Sequence, residues 1–109
     1  MKAWEIWTAP LWGPHPALLI SAQKRIDLKK YVVVLKGVTL RPGQPFRVDE
    51  LQTTLNAEDG LETETRFDCD LLYTLEKEHL TQKRGEVSSW ERRRDISRKI
   101  LQGLALAGL

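Results

Sequence analysis

The 109-residue sequence is poor in the residues that make covalent or metal-held scaffolds: it has one cysteine, Cys69, and two histidines, His15 and His79. A lone thiol excludes an intrachain disulfide and cannot build a cysteine zinc cluster. Two histidines with no HxxxH pair and no carboxylate cluster at ligand spacing make a poor metal set. No run approaches the roughly 18 consecutive apolar residues of a membrane span. The N-terminus has neither the basic nor the apolar region of an export signal. These absences predict a cytoplasmic protein with no metal, no cofactor and no membrane partner. The length predicts one domain over residues 1–109.

The net charge of +2 hides a segregated pattern. Residues 1–48 carry eight Lys/Arg against Glu5 and Asp27, whereas residues 49–82 carry ten acids against Arg66 and Lys77. Residues 83–109 are basic again, with seven Lys/Arg against Glu86, Glu91 and Asp95. Such blocks either build a basic face for a polyanion or pair with one another inside the fold.

Period-2 patterns dominate the first four-fifths of the chain. "AWEIWTA" alternates Trp4 and Ile6 against Glu5 and Trp7, and "ALLIS" follows after the proline-rich loop "PLWGPHP". "AQKRIDLKK" reads as a charged turn or one loose helical turn, and "YVVVLKGV" as a strand buried on both faces. "RPGQP" is a turn, "FRVDEL" a further strand, and Asp59–Gly60 a hairpin-type turn signal. "TETRFDCDLL" predicts a strand with Phe67 and Cys69 on one face and Arg66, Asp68 and Asp70 on the other. "TLEKEHL" is a connector and "KRGEVS" a last short strand. Ser88 and Glu91 then form a capping box that opens a helix, along which Trp90, Ile96, Ile100, Leu101 and Leu104 make an apolar stripe. Trp4 and Trp90 fit the core. Short strands closed by one C-terminal helix predict a small, strongly curved antiparallel barrel.

Chemistry concentrates around His15, which stands between Pro14 and Pro16 just before the second strand. Both prolines restrict the backbone there, so the imidazole is either part of an inert stiff loop or a side chain aimed at a site. Trp12, on the same loop, is hard to bury and can stack on a partner or on a nucleic-acid base. Lys24, Arg25, Lys29 and Lys30 read as a solvated charged loop, which beside a cleft would steer a polyanion. Arg92, Arg93 and Arg94 fall in the first turn of the helix, where its dipole disfavours cations, and so call for an acidic partner, within the chain or outside it. His79 reads as a surface residue. Cys69, between two aspartates, reads as packing.

Several stretches, in order, resemble the MazF/PemK/Kid toxins. "WEIWTAPLWGPHPALLIS" is similar to their "GEIW", loop and "RPALVIS"; "YVVVLKGVT" is similar to "VVVLPIT". "EDGLETETRFDCDLLYTLEKEHL" is similar to "GGLKRDSVVLCDQIRTLDKSRL", and "KRGEVSSWERRRDISRKILQGLAL" to their last strand and helix. The resemblance implies an SH3-like antiparallel β-barrel of the CcdB/MazF type, mainly β with a C-terminal helix. It also implies a homodimer and the toxin half of a type II toxin–antitoxin pair: a metal-independent endoribonuclease that cuts single-stranded RNA and is covered by an antitoxin.

Carried over residue by residue, the family's arginine before "PAL" falls on His15, and its "PIT" threonine on Val38 or, with one insertion, on Thr39. Its "CD" pair is Cys69–Asp70, and the arginine that some members place two positions before that aspartate is Asp68 here. His15, Asp70 and Thr39 are therefore the expected catalytic residues, and Trp12, Lys24, Arg25 and Lys36 the expected RNA-binding ones. His15 supplies an acid or a base, since imidazole titrates near neutral pH. Asp70 serves as a base if burial raises its pKa. Thr39 hydrogen-bonds a phosphate oxygen, and Lys24, Arg25 or Lys36 stabilises the developing charge. Histidine in place of arginine gives up a permanent charge and a bidentate fork, which implies weakened activity. Two other classes stay open: a barrel that binds RNA or protein without cutting, and a gyrase-directed CcdB-like toxin.

Overall fold

A computed structural model describes residues 1–43 and 47–106. Six strands, β1 (Glu5–Pro10), β2 (Pro14–Leu19), β3 (Tyr31–Thr39), β4 (Gln52–Leu55), β5 (Thr65–Glu76) and β6 (Thr81–Glu86), form one sheet in the order β4-β5-β3-β2-β1-β6. Every neighbouring pair is antiparallel, so the sheet curls into a half-barrel. Helix α1 (Gln23–Leu28) joins β2 to β3, and α2 (Trp90–Gly103) follows β6. No helix among the described residues is long and apolar enough to cross a membrane.

Alternation sends side chains to two cores, one on each side of the sheet. Ile6, Leu18, Leu35, Leu55, Phe67 and Cys69 pack with Ile96 of α2 in the first. Ala9, Ala17, Leu19, Val32, Val34 and Ile26 of α1 pack in the second, with Leu11 and Leu80. β3 supplies both, as its run of β-branched residues predicts. The 12-residue β5 reaches both by kinking. Between the pairs Leu35↔Leu72 and Gly37↔Phe67, one β3 residue, Lys36, faces four on β5, residues 68–71. Such a bulge bends the strand and re-aims the side chains around it.

Several boundaries differ from those the sequence suggests. "PLWGPHP" is not one loop: β1 runs to Pro10 and β2 starts at Pro14, so the tip is Leu11–Trp12–Gly13 and His15 lies within a strand. Trp12 (φ 55°) and Gly13 (φ 96°) both take left-handed backbone to turn so tightly. Residues 47–51 of "FRVDEL" form no strand, and Phe46 lies outside the described residues. The Asp49 carboxylate accepts from the Leu51 N–H (2.9 Å), and the Gln52 N–H reaches the Asp49 carbonyl (3.2 Å), so a local side-chain turn displaces extended pairing until Gln52. Asp59–Gly60 closes a 3₁₀ turn, Ala57–Asp59, capped reciprocally by Asn56 and Asp59, with Gly60 left-handed. β5 continues through "TLE" to Glu76, and Lys77–His79 is a second 3₁₀ turn. The cap of α2 is Ser89, one residue later than the Ser88 box.

Trp90 is 78% exposed and not in the core. It stands at the first position of α2, outside the stripe, with the Arg93 guanidinium 5.7 Å from its ring and 5.7 Å from that of Trp4. Leu101 and Leu104 are also largely exposed, so Ile96 and Ile100 carry the packing of α2. Of the first-turn arginines, Arg92 finds acids within the chain, pairing with Asp59 (2.6 Å) and Glu58 (3.3 Å) of the acidic middle segment, whereas Arg93 donates to the Val87 carbonyl (2.6 Å).

Candidate active site

The two prolines around His15 have a structural consequence that explains its orientation. In the β2–β3 ladder the Ile20 N–H donates to the Val33 carbonyl (3.1 Å), and Leu18 faces Leu35. Hydrogen-bonded pairs recur every second residue in an antiparallel ladder, so the next falls on Pro16 opposite Gly37. Proline has no N–H to give. The Gly37 carbonyl is met instead by the His15 ring, with Nδ1 at 3.2 Å. A carbonyl only accepts, so Nδ1 carries the proton and Nε2 is the nitrogen left for chemistry. His15 makes no other hydrogen bond among the described residues and is half-buried.

The face on which His15 sits follows from register. It alternates with Ala17 and Leu19, members of the second core, and Lys36 alternates with Val34 of the same core. Gly37 faces the other way: a Cβ there would stand 2.7 Å from Phe67 Cζ, in the first core. Lys36 and Val38 therefore share the His15 face. Lys36 Nζ lies 5.3 Å from the centroid of the Trp12 ring, and Trp12 meets Tyr73 edge-on at 5.8 Å and 73°. Buried Leu11 anchors the hairpin tip, while Trp12 remains 81% exposed. His15, Lys36 and Trp12 thus form one patch.

The other expected residues are distributed differently. Thr39 shares the parity of Gly37, points to the opposite side of β3, and pairs across to Thr65. Asp70 is exposed in the β5 bulge, with its Cβ against the backbone of Gly103 near the end of α2. No hydrogen bond or ion pair joins it to His15, Lys36 or Thr39 among the described residues, and the burial on which its expected role depended is missing. Lys24 and Arg25 lie on α1, where Arg25 Nη1 donates to the Tyr31 carbonyl (3.2 Å). Tyr31 opens β3 five residues before Lys36, a separation of about 16 Å along the strand.

Cys69 is fully buried, and burial pushes its thiol up to about 12, in keeping with packing. His79 is exposed on the surface, yet its ring and the carboxylates of Glu76 and Glu78 bring ligand atoms within 4.8 Å of one another. The sequence reading missed that grouping because the 3₁₀ turn after Glu76 creates it. Lys30 already pairs with Glu76 at 3.2 Å.

One further residue on the patch escaped the sequence reading. Arg66 faces Val38 across β3 and Thr54 across β4, on the side of the sheet opposite to Phe67. The only available signal was its alternation against Phe67 and Cys69. Asp68, two residues on, is held by the Gln52 side-chain amide at 2.5 Å.

An oriented imidazole with a free Nε2, an ammonium and a guanidinium on one face, and an exposed indole make a set suited to moving a proton beside a phosphate. No protein-family model matches the chain, and no curated protein matches it in sequence. Solved structures do match. An endoribonuclease in complex with its cognate antitoxin, from a Mycobacterial species, superposes at TM-score 0.82 with 22% identity, over 100% of this chain and 99% of that one. The Mycobacterium tuberculosis toxin MazF-mt6 gives 0.80 with 19% identity over 94% and 97%. A MazE-MazF structure from Deinococcus radiodurans gives 0.73 with 16% identity over 98% and 97%. The described residues have the MazF toxin fold.

Proposed function

We propose that this chain is the toxin of a type II toxin–antitoxin pair, a metal-independent endoribonuclease acting on single-stranded RNA in the cytoplasm. The observation that carries the reading is the imidazole fixed by Gly37 on a MazF fold, with Lys36 on the same face. Nε2 of His15 takes the proton of a ribose 2′-hydroxyl. The 2′-oxygen bonds to phosphorus, the P–O5′ bond breaks, and water protonates the departing 5′-oxygen, leaving a 2′,3′-cyclic phosphate. Lys36 offsets the charge that grows on the phosphate. Trp12 stacks a flanking base, a contact worth about 1–3 kcal/mol. Asp70 and Thr39 take no part in this step, and Lys24 and Arg25 steer the strand from the far end of β3.

The antitoxin is a protein partner that covers this patch, by analogy with the neighbour bound to its cognate antitoxin, and the functional unit is a homodimer. A second reading, a barrel that binds RNA without cutting it, draws support from the isolation of Asp70 and from His15 in place of an arginine. Purified protein is mixed with a defined single-stranded RNA in EDTA and the ends are mapped. Cleavage that disappears in His15→Ala supports the enzyme. Retention of uncut RNA supports the second reading, and no RNA interaction leaves a protein-directed toxin.

A further inference from the structure

We infer that Arg66 is the residue that grips the scissile phosphate, an assignment that rests on the ribonuclease reading above. Continuing the register Ala17↔Lys36 by two residues sets His15 opposite Val38, and Val38 in turn faces Arg66. His15, Val38 and Arg66 therefore stand in one row on three adjacent strands. With neighbouring strands about 4.8 Å apart, the backbones of His15 and Arg66 are about 10 Å apart, with only the short side chain of Val38 between them. Two long polar side chains flank a gap of phosphate size.

The state of the guanidinium points the same way. Arg66 Nε is buried and has no hydrogen-bond partner. Arg66 makes no ion pair among the described residues, although Asp68 follows two residues later on the same face, where its Oδ1 accepts from Gln52. Arg92 is the other arginine with an unpartnered Nε, but both of its Nη atoms are engaged by Thr54, Asp59 and Glu58. Among the described residues, Arg66 is thus the arginine whose buried Nε has no partner and whose Nη atoms have no acceptor either. Buried charged donors are otherwise paired, and a planar fork of this kind matches two oxygens of a phosphate. In the reaction it binds the non-bridging oxygens through the phosphorane and returns unchanged.

The test compares wild type with Arg66→Ala, Arg66→Met and Arg66→Lys. Each is assayed for cleavage of single-stranded RNA, for binding of the same RNA carrying a 2′-O-methyl group at the scissile ribose, and for melting temperature. Arg66→Met keeps the buried stem should Arg66→Ala fail to fold. The expected result is a loss of about 10²–10³-fold in kcat for Ala and Met, a smaller loss for Lys, and partial recovery of Arg66→Ala by added methylguanidinium, which leaves wild type unaffected. A folded Arg66→Met variant that cleaves at the wild-type rate overturns the assignment and leaves the ribonuclease reading standing. RNA left intact by wild type and variants alike overturns both.

Discussion

Gly37 is the position where fold and site constrain each other most tightly, and Gly37→Ala tests both. The added methyl would lie 2.7 Å from Phe67 Cζ, 2.7 Å from Thr65 Cγ2 and 2.8 Å from Phe67 Cε1, so the neighbours must yield by about 0.7 Å to reach ordinary contact. Phe67 and Thr65 are both buried, which leaves little room to yield. Overpacking of this kind costs about 1–3 kcal/mol. Reduced freedom of the unfolded chain returns about 0.4–1 kcal/mol. At mid-range values the steric cost wins by about 1.3 kcal/mol, and at about 4–8 °C per kcal/mol for a domain near this size the melting temperature falls by roughly 5–10 °C. Phe67→Leu in the same background removes two of the three close contacts. The double variant should therefore lose less than the sum of the single losses, as residues in contact do. Shifting β3 here also moves the carbonyl that holds His15 Nδ1, so RNA cleavage measured well below the transition should fall as well. A Gly37→Ala variant that melts at or above wild type would refute the reasoning.

Arg92→Ala strips the ion pair from Asp59, whose side chain is 2% exposed, and leaves the Asn56 N–H as its main donor. Removing one partner of a buried pair costs about 3–5 kcal/mol; a denaturant titration showing a loss below 1 kcal/mol would contradict the buried pairing. Burial raises the pKa of Glu5, but hydrogen bonds from Lys83, the Lys2 N–H and Trp7 outweigh it and hold the carboxyl below its ordinary value. A lowered acid stabilises the fold above its unfolded pKa of 4.5 and loses that contribution as pH falls through the folded value. The gap in melting temperature between wild type and Glu5→Gln should thus be present at pH 7 and shrink as the pH falls below 4.5. The Cys69 thiol, buried and raised to about 12, should react with a disulfide reagent at pH 8 only after denaturant is added; rapid labelling of the native protein would place it elsewhere.

The strands that could be read from sequence are those whose pattern is decided by burial. "YVVVLKGV" is β3 because both of its faces meet a core, and "AWEIWTA" is β1 because Ile6 and Trp7 serve opposite sides. The segregated charges were legible as a choice between a polyanion and internal pairing. For Arg92 the choice falls on the acidic segment, whereas Arg66, within that segment, stays unpaired. What escaped depended on contacts between distant residues or on competing local bonds. "FRVDEL" has strand alternation, but Asp49 binds its own backbone first. Trp90 looks like core, but at the first position of α2 its ring stays on the surface beside the Arg93 guanidinium. The orientation of His15 needs both the missing N–H of Pro16, visible in the sequence, and its register against Gly37, which is not.

A single-stranded RNA that the protein cuts, resynthesised with one 2′-deoxyribose at the cleavage site, tests the central claim most directly. With EDTA present, the account predicts that the all-ribose strand yields a 2′,3′-cyclic phosphate end and the substituted strand stays intact. Cutting of the substituted strand, or a 3′-hydroxyl end on the product, would contradict it.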